Sequence, residues 1–361
     1  MTIKHDFVVR RDNLAEYKWR SSELAAALPG EVILVIESFA LTANNITYAV
    51  AGDQMSYWQF FPAEEGWGKI PVWGFATVIE SQVDGVSEGS RYYGYFPMSS
   101  HLIVQAGNVT ARTFTDIAEH RAPLSAIYNT YSAWALEGQN ASRVEAKHML
   151  FQPLFATAYL ISDFFSENDW FGANVVVLTS ASSKTSMGLA YLVHQTGSTK
   201  VIGLTSKQNI DFVSGLGYYD AVYVYDQLEQ ITREPAVIVD MAGNGSVLAR
   251  LHQHFGEELN YSCLVGATHW DARSGARELS GVKPELFFAP THGQKRAKQW
   301  GGEVLSDRIE TAFAGFSTRV DDWMKVEVVR GEENMAACYE AMLKGQISPD
   351  IGYILQPESQ T

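Results

Sequence analysis

Residues 174–209, NVVVLTSASSKTSMGLAYLVHQTGSTKVIGLTSKQN, read as a strand, a polar turn, a helix and a second strand ending in a lysine-bearing loop. Val175, Val176, Val177 and Leu178 form an unbroken, mostly β-branched apolar run, which suits a parallel strand buried on both faces. Met187, Ala190, Tyr191 and His194 recur at helical spacing, and Gly197 stands where such a helix would stop. Residues 201–204 supply the second strand. This order brings backbone N–H groups and the positive end of a helix to one spot, a site ready for a phosphate.

A dinucleotide turn usually reads G-x-G-x-x-G, and here only Gly188 stands, at the third glycine's position. Ser180, Ser182, Ser183, Lys184, Thr185 and Ser186 fill the rest. Hydroxyls and an ammonium can donate to a pyrophosphate, but they crowd a backbone that glycine lets approach. The same residues also read as an ordinary serine-rich helix cap. At the end of the second strand an NAD site wants Asp or Glu for the ribose hydroxyls. Thr205, Ser206 and Lys207 stand there, with no acid before residue 210. A dinucleotide bound here is therefore expected to be NADP, although Lys207 also reads as a solvated loop lysine.

The 361 residues allow two domains, each able to bury a core. With 46 % apolar and 19 % charged residues, the composition is that of a globular enzyme. A formal charge of -14 argues against nucleic acid as a partner, since phosphate binding needs clustered cations. No run of about 18 apolar residues exists to span a membrane. The N-terminal residues lack an apolar signal core, so a soluble, cytoplasmic protein is expected. Cys263 and Cys338 are too few for a disulfide framework.

Up to about residue 120 short strands predominate, at 31–38, 72–81, 92–96 and 101–105, and Gly and Pro punctuate them. They predict a β-barrel-like domain. Residues 121–138 change character: Leu124, Tyr128, Tyr131 and Ala135 lie along one face of a predicted helix. A second helical region follows over 145–166. After the 174–209 unit, strands at 221–225, 235–240, 261–266 and 285–288 alternate with helices at 210–215 and 245–255. Such alternation makes an open parallel sheet. A helix over 332–344 and a strand over 352–355 close the chain.

Several stretches are similar to one known family. Residues 31–52 (EVILVIESFALTANNITYAVAG) look like its first barrel strand and substrate loop, and 86–96 (VSEGSRYYGYF) its "GDRVFG" strand pair. YSAWAL, 131–136, resembles the "TAW" helix that opens the cofactor domain. Residues 201–225 (VIGLTSKQNIDFVSGLGYYDAVYVY) are similar to its strand, helix, "LGA" and "VINY" sequence. The chain thus resembles the medium-chain dehydrogenase/reductase superfamily, in its zinc-free, quinone-oxidoreductase-like branch, as a divergent member. The resemblance implies an α/β architecture: a GroES-like β-barrel substrate domain over 1–122, then a doubly wound (Rossmann) NADP-binding domain over 123–312. Residues 313–361 would return to the barrel, and the protein would pair as a homodimer.

The resemblance further implies hydride transfer from NADPH to an activated alkene, quinone or ketone. The turn Ser180, Ser182, Ser183, Lys184, Thr185, Ser186 and Gly188 would hold the pyrophosphate. Thr205, Ser206, Lys207 and Tyr225 would lie by the 2′-phosphate, and Asn244, Gly266 and Thr268 along the ribose and nicotinamide. Ser132 matches a threonine that faces the nicotinamide; it also reads as a helix-surface hydroxyl. A catalytic zinc in this fold needs Cys and His ligands, yet Phe75 follows Gly74, and two cysteines cannot supply the sites. No metal is expected. Without zinc, a carbonyl is polarised by a hydroxyl, an amide or water. Asn45 and Tyr48 are the best-placed candidates, against a buried loop amide and a core tyrosine. Trp58, Phe60, Phe61, Trp67 and Trp73 wall either an apolar pocket for a carbonyl substrate or a satellite core. A catalytically silent relative that binds NADPH or a protein partner is the alternative to an enzyme.

Overall fold

A computed structural model describes residues 2–135, 138–265 and 279–357. The chain divides into two compact units, one holding residues up to Leu150 together with those from Lys325 onward, the other Phe151–Met324.

The first unit opens with β1 (Ile3–Arg10) and β2 (Tyr17–Glu23), then β3 (Glu31–Leu41), helix α1 (Ala43–Val50) and β4 (Trp67–Gly68). Strands β5 (Pro71–Ser81), β6 (Arg91–Pro97), β7 (His101–Gly107), β8 (Thr113–Asp116) and β9 (Thr130–Ala133) follow. β1, β2 and β4 form a small sheet of their own. The others run β3-β5-β6-β9-β8-β7, and β7 pairs back onto β3, which closes a six-stranded barrel with no free edge. On β5 and β6, Trp73 faces Tyr95 and Phe75 faces Tyr93, so these four rings leave the sheet on one side. Tyr92 and Phe96 leave on the other, where they meet Phe114 and Tyr131.

β9 corrects the predicted helix over 121–138. Arg121 and Asn129 exchange side-chain hydrogen bonds (Arg121 Nη1 to Asn129 Oδ1 at 3.2 Å, Asn129 Nδ2 to the Arg121 carbonyl at 3.0 Å), which turns the chain before a helix can run. Tyr131 then goes inward as a strand residue, stacked on Phe114 at 5.0 Å. Gly94 makes this possible, since a Cβ there would stand 2.4 Å from the Tyr131 ring. Without this strand the barrel would not close between β6 and β8. Ser132 is therefore a strand residue, paired with Tyr93 and Thr113, and not a helix-surface hydroxyl.

Helix α2 (Ala141–Glu167) contains the division between the units. The second unit continues with β10 (Val175–Leu178), α3 (Lys184–Thr196), β11 (Lys200–Thr205), α4 (Ile210–Gly215), β12 (Ala221–Val224) and β13 (Ala236–Asp240). It ends with α5 (Gly245–Phe255), β14 (Leu259–Leu264), β15 (Glu285–Leu286), α6 (Ala289–Trp300) and α7 (Gly302–Val320). Its six strands are all parallel, in the order β12-β11-β10-β13-β14-β15. The chain winds outward from β10 to β12, returns to the other side of β10, and winds outward again. The reversal between β10 and β13 is the switch point at which doubly wound sheets take their ligands. β10 is wholly buried, as its apolar run requires. The tail, β16 (Lys325–Arg330), α8 (Glu332–Leu343) and β17 (Ile351–Gln356), belongs to the first unit, with β17 antiparallel to β3. The fold is thus a GroES-like barrel and a Rossmann-type unit, with the C-terminal segment returned to the barrel sheet.

Candidate functional site

In the second unit the turn between β10 and α3 sits at the switch point, and its polar groups bond largely to one another. Ser183 caps α3, its Oγ accepting from Ser186 N at 3.2 Å. The Ser186 hydroxyl is fully buried and donates to the Thr179 carbonyl at 2.9 Å. Ser180 takes the left-handed conformation (φ 48°) that glycine adopts most easily, and its amide donates to the Tyr225 hydroxyl at 2.9 Å. Ser182 Oγ accepts from Asn209 Nδ2 at 3.0 Å. The Lys184 ammonium lies 5.6 Å from the Phe151 ring centroid, and Thr185 follows it in the first turn of α3. Gly188 serves helix packing: a Cβ there would stand 3.1 Å from the Phe155 ring on α2.

Beside this turn lies a group that the sequence reading missed. The Thr179 hydroxyl donates to Asp240 Oδ1 at 2.7 Å and accepts from the amides of Met241 and Ala242, tying the ends of β10 and β13 across the switch point. Burial pushes the Asp240 carboxyl above its ordinary range, against the hydrogen bonds from Thr179 and the amides of Ala242 and Gly243 that pull it down. The sequence signal was an acid closing an apolar strand, AVIVD, five residues before a helix.

At the end of β11, Thr205 is buried, Lys207 is exposed, and the Ser206 hydroxyl is buried without a hydrogen-bond partner among the described residues. Asn244 caps α5, accepting from the amides of Ser246 and Val247. Gly266 and Thr268 lie outside the described residues.

In the first unit the candidate residues part company. Residues 43–50 form a helix and not an open loop, and Asn45 is consumed by its capping box. Asn45 Oδ1 accepts from the Thr42 amide at 2.7 Å and the Thr42 hydroxyl at 3.1 Å, while Nδ2 donates to the Pro71 carbonyl at 2.9 Å. Tyr48, on the same helix, enters a cluster of rings with Tyr57 at 4.6 Å, Tyr95 at 5.7 Å and Tyr128 at 6.5 Å. Burial raises its pKa first, then the neighbouring Tyr57, so the phenol stays protonated. Trp73 and Phe60 join through Tyr95 and Tyr128, and Phe61 through Tyr95. Trp58 and Trp67 do not: Trp58 fills a slot between Gly52 and Gly68, and Trp67 carries the Lys18 ammonium 4.0 Å from its centroid.

Tyr93 and Tyr95 were overlooked because aromatic residues on a strand read as core, and Tyr128 and His148 because they fall in segments read as helical. His148 packs 4.3 Å from Tyr93 and 4.7 Å from Trp134, and burial lowers its pKa to about 4. Among the described residues no group of three or more His, Cys, Asp or Glu side chains could hold a metal ion. No helix among them is long and apolar enough to cross a membrane.

The family described as "Protein of unknown function (DUF2855)" matches residues 39–348. No curated protein matches the chain in sequence. Solved structures match over nearly its whole length. CurA in complex with NADPH, from Vibrio vulnificus, has a TM-score of 0.64 at 11 % identity, covering 98 % of this chain and 99 % of that one. A mutant form of the enoyl thioester reductase from Candida tropicalis has a TM-score of 0.58 at 12 % identity, covering 99 % and 100 %. A thermostable alcohol dehydrogenase from Pyrobaculum aerophilum has 0.58 at 12 %, covering 98 % and 100 %. What the likeness shows is the fold, a GroES-like barrel with a Rossmann-type unit.

Proposed function

We propose that this chain, which belongs to the DUF2855 family, is an NADPH-dependent oxidoreductase that reduces an activated alkene, quinone or ketone without zinc. One observation carries the reading: one strand from the switch point of a doubly wound sheet, the end of β11 offers a buried Ser206 hydroxyl unpaired among the described residues and the exposed Lys207, and residues 205–209 hold no carboxylate. These groups fit a 2′-phosphate and would repel nothing on it. The NADPH named in the CurA complex supports the same choice. The α3 N-terminus would hold the pyrophosphate, with Tyr225 alongside and Asn244, Gly266 and Thr268 following the later strands. When bound, the reduced nicotinamide supplies a hydride. Tyr48, a protonated phenol, is the proton donor in this reading, while Asn45 spends its amide on its own helix cap. A homodimer in the cytoplasm is part of the proposal.

The test is NADPH fluorescence on mixing. Lys207→Glu should weaken NADPH by roughly tenfold or more, the scale of a lost charge-assisted hydrogen bond, and leave NADH nearly unchanged. Equal losses for both would remove the 2′-phosphate assignment. The second reading, a silent relative, is favoured by the closed state of the turn, where Tyr225 takes the Ser180 amide and Asn209 takes Ser182. Oxidation of NADPH with a panel of quinones, enals and ketones decides between them; a protein that binds NADPH and turns over none of the panel is the silent one.

A further inference from the structure

The outward-facing rings of β5 and β6 leave hydrogen-bonding capacity unspent. Trp73 Nε1 and the hydroxyls of Tyr93 and Tyr95 are buried without a hydrogen-bond partner among the described residues. Tyr93 is 7 % exposed and Tyr95 fully buried. Cross-strand pairing puts the three side chains on one surface, with Trp73 5.5 Å from Tyr93 and 5.0 Å from Tyr95, centroid to centroid. The Tyr48 hydroxyl is felt electrostatically at Tyr93 and Tyr95. The Trp73 N–H also lies near it, close enough to lower the Tyr48 pKa though not aligned as a hydrogen bond. Buried polar groups in native proteins are paired almost without exception, so three unpaired on one surface ask for an occupant.

The chemistry of that occupant follows from what surrounds it. An indole N–H only donates, and phenols held protonated by burial donate readily, so the occupant presents acceptors. Among the described residues the cations over these rings are already paired, Arg91 over Phe75 with Glu37 and Glu145. Arg121, the cation over the Phe60 and Phe61 rings, is paired with Asp116 at 3.3 Å. His148 is neutral at pH 7. An acyl thioester on a phosphate-bearing carrier would find no partner for its phosphates on this surface. Ring walls favour a planar aromatic body.

We propose that this face binds a neutral, planar aryl ketone bearing a second ring oxygen, its oxygens accepting from the Trp73 N–H and the Tyr93 and Tyr95 hydroxyls. Calling this compound the substrate rests on the reductase reading; its binding does not. Calorimetric titration of the full chain without NADPH tests it, using para-methoxyacetophenone against para-ethylcumene, a hydrocarbon of similar outline without acceptors. The ketone should bind at least roughly tenfold tighter than the hydrocarbon, and Tyr93→Phe or Tyr95→Phe should each weaken it roughly 3–10-fold while leaving the hydrocarbon unchanged. These isosteric changes remove only an unpaired hydroxyl, so an unaltered melting midpoint shows that the fold is intact. Equal binding of ketone and hydrocarbon, no effect of either Phe variant, or tighter binding of crotonyl-CoA would each overturn the proposal. NADPH binding without ketone binding sinks this inference alone, and ketone binding without NADPH binding sinks the reductase reading alone.

Discussion

The β10–α3 turn and the outer face of β5 and β6 are opposites. The turn is crowded with hydroxyls, and most of them are spent: Ser183 on its cap, Ser186 on the Thr179 carbonyl, Ser182 on Asn209. The face is nearly all aromatic, yet it keeps three donors unpaired. Polarity of residue type therefore does not measure the capacity to bind. What counts is whether each polar atom already has a partner at hydrogen-bond distance, and that depends on neighbours far away in sequence. Tyr225 reaches Ser180 across 45 residues, whereas no described residue pairs with the Tyr95 hydroxyl.

The sharpest way to break this contrast is at the charged frame of the aromatic face. Arg121 is 1 % exposed and pairs with Asp116, itself 4 % exposed. Arg121→Leu leaves that carboxylate buried and uncompensated, with an expected loss of about 3–5 kcal/mol in unfolding free energy, read from denaturant titration. The hydroxyls of Ser182, Ser183 and Ser186 should each cost less, because their bonds are neutral. A loss under about 1 kcal/mol would show that the frame does not hold the face.

His148 gives the next largest effect, through pH. Its pKa is about 4 in the fold because burial disfavours the imidazolium, against 6.5 for the ordinary group. The unfolded chain therefore takes up a proton first as pH falls. The stability is complete above pH 6.5 and is lost progressively down to about pH 4, by roughly 3 kcal/mol in all. Unfolding midpoints followed from pH 7.5 downward should show this slope in the wild type and a flatter one in His148→Gln. Parallel slopes would mean that the imidazole is not sealed among Tyr93 and Trp134.

The second unit was the more legible in sequence. Its strand bounds follow apolar runs such as 175–178, and its helices follow caps such as Asn244 and Gly197. These are local signals, set within a few residues. The barrel was legible as a class but not in its closure. Tyr128 and Tyr131 carry helical spacing, and only the empty space at Gly94, 37 residues earlier, makes Tyr131 a strand residue. Which polar groups were already spent was illegible for the same reason in both directions. Asn45 looked available until the Pro71 carbonyl took its amide, and Tyr93 looked like core until its hydroxyl was left with nothing to bond.

The smallest effects test the contrast most directly, as a matched pair of lost hydroxyls. Ser183→Ala removes the α3 cap and should cost about 1 kcal/mol, as N-cap serines do elsewhere. Tyr95→Phe removes a hydroxyl that is more deeply buried but has no partner. Folding takes that hydroxyl from water and returns no bond for it, so its loss should leave the melting midpoint unchanged or slightly raised. Residue burial alone predicts the opposite ranking, since Ser183 is only partly buried and Tyr95 fully. If Tyr95→Phe were to lower the midpoint by as much as Ser183→Ala, its hydroxyl would have a partner in solution. The unspent donors of the aromatic face would then fall to two.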